Sequence, residues 1–272
     1  MSRQPSILHR SALLRGDADA RARPTGERVH AALQRPGWCP ALPGATTRLF
    51  ALVAAGPTRG SELVAVLASD PELSRAVVTH LARLAPTPAR APRSLAAAVR
   101  LTRVGDLCAA ALDGALARGL LPPPLLRHAR QVGCVAAGLA TETGSLPHRA
   151  RAAGLLHDIG RIGLPLAASS DDGLVLTRSA IAQHHPAAAA SMIRHWGLPG
   201  VLSGAVGPRP TKLGLLVQLA ETLVLDAGIG HTTGRQARGV AWDLPPHAAD
   251  LAYRTGVDPA RLDIWRDRLR GG

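Results

Sequence analysis

From about residue 39 onward, apolar residues recur three and four positions apart in short runs, separated by Gly, Pro and small polar residues, which is the pattern of amphipathic helices. It predicts helices over 45–54, with Leu49 and Val53 on one face, over 61–67 opened by Ser61-Glu62, and from Asp70, an N-cap with Pro71 at the first helical position. After the Pro-rich break at 86–92, Ser94 caps a helix over 95–101, and Asp106 begins an apolar one through Leu116. Further helices are expected from Leu125 to about Glu142, from Pro147 to Asp158 and over 215–225, with a Ser/Asp/Gly loop at 166–174. Gly160, Gly163 and Pro165 are expected to stop the helix that reaches Asp158. Residues 243–269 read as two short helices, the last opened by Asp258-Pro259.

Before residue 39 the pattern fails. Residues 1–38 are polar and Arg-rich, with Gly16, Pro24, Gly26 and Pro36 interrupting any period, although Ser11–Leu14 and Val29–Leu33 could each form a turn of helix. The reading is a flexible or loosely docked arm, a kind of segment that can also bind a partner.

Composition sharpens the fold class. Apolar residues make up 46% of the 272 and aromatics only 2%, so the core must be built from Ala, Leu and Val, which favours close-packed helices over a β-sandwich. No apolar run reaches the length of a membrane span and the N-terminus lacks a signal-peptide pattern, so a cytoplasmic protein is expected. Cys39, Cys108 and Cys134 form no CxxC pair and read as reduced thiols, Cys108 and Cys134 as core filler. The net charge of +13 is carried almost wholly by Arg, with Lys212 the only lysine. A nucleic-acid surface is one reading of that charge. The arginines are scattered, however, with no basic helix and no stacking platform, and a high-GC coding bias explains them as well.

The chemistry concentrates in Gly154-Leu155-Leu156-His157-Asp158-Ile159-Gly160-Arg161-Ile162-Gly163-Leu164-Pro165. A His and an Asp side by side among apolar residues are costly to bury without partners. Either they bind a metal through imidazole nitrogen and carboxylate oxygen, or they are locked into a structural hydrogen-bond network.

"LLHDIGRIGLP" closely resembles the central motif of the HD superfamily, a helical fold in which a His-Asp pair holds a divalent metal for phosphate chemistry. Three further segments, "PALPGATTRLFAL", "ELVAVLASDPELSRAVVTHLARLA" and "RSLAAAVRLTRVGDLCAAAL", resemble the N-terminal half of the HDOD domain, a relative of those phosphohydrolases. The resemblance runs from about Pro40 to Val206 and continues more weakly to the C-terminus. It implies an all-α fold: an N-terminal helical part (39–120) packed on an HD-like part (121–240), with short C-terminal helices (241–272) completing the domain.

The same resemblance implies a site. His128 matches the histidine that faces the His-Asp pair from the preceding helix, His185 matches the histidine before the helix ending in a Trp-Gly-Leu-Pro turn, and Glu221 stands where HD enzymes usually carry Asp. The implied ligands are therefore His128, His157, Asp158 and Glu221, with His185 or His184 as an additional contact, and Mn, Fe, Zn or Mg as the metal. The residues also allow a blander reading: His185 as an N-cap-like surface residue before Pro186, His184 as solvated, Glu221 as a helix-surface or salt-bridge residue, and Arg161 as a cation serving a helix C-terminus. His195 and Trp196 are expected to pack as the end of a helix.

Two functions follow from the resemblance. One is a regulatory or scaffold module of bacterial signal transduction that binds a protein partner, or a nucleotide such as a cyclic dinucleotide, without chemistry. The other is a metal-dependent phosphohydrolase or phosphodiesterase in which bound water attacks and Arg161 stabilises the phosphate. Against the second, HD-GYP phosphodiesterases carry a His-His pair and a Gly-Tyr-Pro segment after the Leu-Pro turn, whereas residues 201–210 here contain neither. Glu221 is one methylene longer than the usual Asp, and Arg161 replaces a usual Lys, although Arg keeps the charge.

Overall fold

The computed structural model describes residues 26–54, 59–85, 87–169, 176–230 and 246–271, and every regular element among them is helical. Helices α2 (Gly44–Ala54), α3 (Gly60–Ala68), α4 (Pro71–Leu84), α5 (Leu95–Leu101) and α6 (Val104–Ala115) pack on one another as the N-terminal half. Helices α7 (Pro123–Glu142), α8 (Pro147–Leu156), α9 (Gly160–Ala168), α10 (Arg178–His195), α11 (Gly200–Val206) and α12 (Lys212–Asp226) form the second half, and α13 (Pro246–Thr255) and α14 (Pro259–Gly271) close against α12. A single buried cluster of mostly Leu, Ala and Val runs from Val29 to Leu262, so both halves share one core.

The caps form as the residues dictate. Asp70 Oδ1 accepts from the Leu73 amide at 2.9 Å, Ser94 Oγ from Ala97 at 3.2 Å, and Asp258 Oδ1 from Ala260 at 3.0 Å. A buried ion cluster bolts the halves together: Asp113 of α6 receives Arg130 of α7 at 2.6 Å and has His80 Nδ1 of α4 at 2.9 Å.

Several expectations are corrected. The arm expected through residue 38 is narrowed, because Gly26–Gln34 is helix α1, burying Val29, Ala32 and Leu33 against α9 and α10. Trp38 is buried as well and donates to the Leu33 carbonyl at 2.9 Å. Ser11–Leu14, residues 170–174 and the start of the C-terminal segment at 243 lie outside the described residues. Gly160 does not end a helix: α8 stops at Leu156, and Gly160 begins α9, which contains both Gly163 and Pro165. Cys134 is exposed on the outer face of α7, unlike the buried Cys39 and Cys108. Trp196 does end a helix as expected, and it reaches back across the fold to donate to the Pro40 carbonyl at 2.7 Å.

Candidate metal centre

The site sits where α7, the α8–α9 turn, α10 and α12 converge. Two glycine crossings bring these elements together. A Cβ built on Gly154 of α8 would lie 2.6 Å from Gly133 Cα of α7, so the two helices touch backbone to backbone. A Cβ on Gly160 would run into the His185 carbonyl oxygen of α10. Between them the chain turns tightly, with Ile159 N bonded to Leu156 O, Arg161 N to Asp158 O and Ile162 N to Ile159 O at 2.9–3.1 Å. Leu155, Leu156 and Ile159 anchor this turn in the core. His157 and Asp158 are thereby presented, buried, to α7 and α12.

His128, His157, Asp158 and Glu221 each offer one donor atom, and these atoms lie within 4.8 Å of one another. His157 Nε2 is 3.5 Å from Asp158 Oδ2 and 3.8 Å from Glu221 Oε1, and His128 Nε2 is 3.9 Å from Asp158 Oδ2. These separations are too long for hydrogen bonds. They approach the spacing of about 3.4 Å that donors take around a tetrahedral ion at ordinary bond lengths.

The second nitrogens settle the tautomers. His128 Nδ1 lies 2.8 Å from the Ile229 carbonyl, and His157 Nδ1 lies 2.7 Å from the Gly154 carbonyl. A carbonyl only accepts, so each Nδ1 carries a proton, and in the neutral form of each ring the lone pair of Nε2 turns toward the cluster. His157 Nε2 is buried with no hydrogen-bond partner. That is costly for a purely structural histidine and natural for a ligand. On this donor chemistry the residues fit a divalent metal.

Asp158 divides its two oxygens. Oδ2 faces the imidazoles, while Oδ1 receives Arg161 Nε at 2.7 Å and lies 3.4 Å from His185 Nε2. His185 is thus placed beyond Asp158, outside the set of four. It is an interior residue of α10, whose N-cap is Thr177, so it caps nothing. Burial holds its imidazole below the usual range, against the pull of Asp158 and with the help of Arg161. His184 is half-buried near the start of α1, 3.9 Å from where a Gly26 Cβ would stand. Arg161 lies in the first turn of α9, where a cation opposes the helix dipole, so the reading of it as a C-terminal helix cation is overturned and its partner is Asp158. The sequence reading missed the Ile229 carbonyl, which only tertiary structure reveals, and the roles of Gly133 and Gly154, for which glycines within apolar helical runs were the available signal.

The HD domain family model matches residues 125–220, a stretch containing His128, His157, Asp158, Arg161 and His185 and ending one residue before Glu221. No curated protein matches the chain by sequence. Among solved structures, an HDOD domain protein of unknown function from Geobacter sulfurreducens superposes with a TM-score of 0.64 at 20% identity, covering 90% of this chain and 96% of its own. A protein from Shewanella amazonensis SB2B named as a phosphohydrolase gives 0.63 at 19% identity, over 89% of this chain and 95% of its own. A protein from Marinobacter aquaeolei VT8 named for signal transduction gives 0.61 at 21%, over 97% of this chain but only 65% of its own. At such identities the structural likeness is one of fold. Residues 125–220 thus match the HD domain model, and they are set within an all-α fold that this chain shares with the solved structures above.

Proposed function

We propose that this chain is a signalling module of the HD superfamily whose His-Asp pocket holds one divalent metal and which acts by binding a partner rather than by turnover. The observation that carries the metal is the pair of imidazoles held with Nδ1 protonated and Nε2 converging on Asp158 and Glu221. His128, His157, Asp158 and Glu221 would be the ligands. Two imidazoles and two carboxylates suit Zn, Fe or Mn better than Mg. The absence of catalysis is favoured by Arg161: the cation that would grip a phosphate is engaged with Asp158 at 2.7 Å. The lack of a second histidine pair after Pro199 points the same way. The partner is a signalling protein, or a nucleotide read at the partly exposed edge formed by Arg161 and Glu221.

A second reading, a single-metal phosphohydrolase, is favoured by that same edge. A bound divalent ion supplies Lewis acidity toward a phosphate oxygen. Glu221 and Arg161 are each about a quarter exposed, so both a carboxylate and a guanidinium reach the surface of the pocket.

The test is elemental analysis of the purified protein beside a His157→Ala/Asp158→Ala double variant, followed by a phosphodiester screen. Near-stoichiometric metal that vanishes in the variant, with no turnover, is the expected result. Metal with metal-dependent turnover would establish the second reading, and a protein that binds no added metal would end both.

A further inference from the structure

Two clefts, of about 720 Å³ and 290 Å³, share Leu101, Thr102 and Asp106 and so form one groove. It lies where the end of α4, the turn at Pro88–Arg90, the α5–α6 junction and the start of α8 meet. The His148 ring is pressed on Gly105 so closely that no Cβ would fit there, which seats the first turn of α8 on the first turn of α6. His148 stands nine residues before His157, about 14 Å along the helix, so the groove is separate from the metal pocket.

Its lining has two characters. Leu81 and Pro92 are buried, Ala85 is half-buried, and Leu101, the last residue of α5, is 65% exposed. A lone exposed leucine needs no explanation, but this one opens onto the other three and continues an apolar strip to the surface. Around the strip stand Arg90, Arg103 and Arg151, against the single carboxylate of Asp106. None of the three guanidiniums is paired with a described residue. Burial holds the His148 imidazole below its usual range, so the arginines carry the groove's positive charge at neutral pH.

We propose that this groove docks an acidic segment of a partner protein, which lays a leucine-like side chain on Leu101 and Pro92 and sets its carboxylates on Arg90, Arg103 and Arg151. The proposal names a surface for the partner binding inferred above and rests on that reading. Arginine suits the role, because its planar fork takes a carboxylate bidentately and it is enriched in protein interfaces. The chain itself is a poor source of the segment: a second copy also carries +13, and residues 1–25 hold five arginines against two aspartates. Nucleic acid fits less well, since the one aromatic ring of the lining, His148, is pressed on Gly105 and offers no platform for a base.

The test is selection of a random peptide library displayed on phage against the full chain, with depletion on a Leu101→Ser/Arg103→Glu variant. The expected survivors carry Asp or Glu beside Leu, Ile or Met. A fluorescent synthetic copy of a survivor then gives affinities by anisotropy. Leu101→Ser and Arg103→Ala each weaken it about tenfold, Asp106→Asn tightens it, and added salt weakens it. Leu101 is exposed and the Arg103 side chain caps nothing, so L101S and R103A keep the wild-type Tm. No survivors, survivors without acidic residues, or a survivor that binds R103A as well as wild type overturns the proposal. So does an oligo(dT) strand that binds more tightly and is lost in the same variants, which makes the groove a nucleic-acid site. Self-association lost in L101S overturns it as well, by making the groove a dimer interface. Elemental analysis and the phosphodiester screen on the same preparations keep the two readings apart. An empty groove on protein with its metal and no turnover overturns only the docking surface, whereas turnover with peptide bound as expected overturns only the non-catalytic reading.

Discussion

Gly133 of α7 and Gly154 of α8 meet so closely that a Cβ on Gly154 would lie 2.6 Å from Gly133 Cα. This contact sets the distance between the helix that carries His128 and the turn that carries His157 and Asp158. A Gly154→Ala substitution gains about 1 kcal/mol of helix propensity. It must then force two backbones apart, and overpacking of that kind costs about 1–3 kcal/mol or more. The variant is expected to have a lower Tm and, because the donor atoms separate, weaker metal binding. Thermal unfolding with and without added Zn²⁺ checks both, and a variant of unchanged Tm would show that the helices can slide.

The Arg161–Asp158 pair at 2.7 Å predicts a different pattern. Arg161→Ala leaves the helices in place but lets the Asp158 carboxylate turn, so metal affinity should fall by about tenfold with a small change in stability. Arg161→Lys keeps the charge but loses the planar guanidinium, and an intermediate affinity is expected. Chelator competition across the three proteins gives the order. If R161A bound metal as well as wild type, Arg161 would be free to serve a substrate and the phosphohydrolase reading would gain.

What the sequence made legible was mostly local. Asp70, Ser94 and Asp258 cap the helices they were expected to cap because each bonds an amide two or three residues away. The His-Asp dipeptide was legible for a related reason: two polar groups in an apolar run demand partners wherever they are buried. The errors came from residues whose roles lie across the fold. Gly160 looks like a stop but is a packing glycine that admits α10. Gly26–Gln34 offers no more than a turn of helix at Val29–Leu33 by its own pattern, yet Val29 and Leu33 find α9 and α10 and a full helix forms. His185 looks like a cap before Pro186, yet both lie inside α10, and the approach of His185 to Asp158 has no signature within its own segment.

The cysteines offer a direct check on the corrected burial. Burial pushes the Cys39 and Cys108 thiols up to about 12, so neither forms thiolate at neutral pH, whereas Cys134 is exposed on α7. Titration of the native protein with a chromogenic disulfide reagent should consume one thiol quickly and the other two only on denaturation. A Cys134→Ser variant should show no fast phase. Two fast thiols in the wild type would mean that Cys39 or Cys108 opens to solvent in the native state.

The Asp113 cluster predicts how stability depends on pH. Burial works to raise the Asp113 pKa, but hydrogen bonds from His80 and Arg130 outweigh it, and the carboxyl is held below its ordinary value of 3.8. A carboxylate so held contributes stability that is fully present above its ordinary value and is lost as pH falls through the lower folded value. Asp113→Asn removes that contribution while keeping the shape. It leaves Arg130, partly exposed, able to turn to water, so a cost of about 2 kcal/mol is expected at pH 7, in the range for hydrogen bonds to a charged group. In a chain of this size that is about 4–8 °C in Tm. The gap between the two proteins should be full at neutral pH, begin to narrow as pH drops below about 4, and close below the folded pKa, because there wild-type Asp113 is itself uncharged. Melting curves of both proteins between pH 7 and pH 2.5 test this. A gap of constant size down to the lowest pH would mean that the ionised carboxylate does not join α4, α6 and α7, and that packing alone holds the two halves of the fold together.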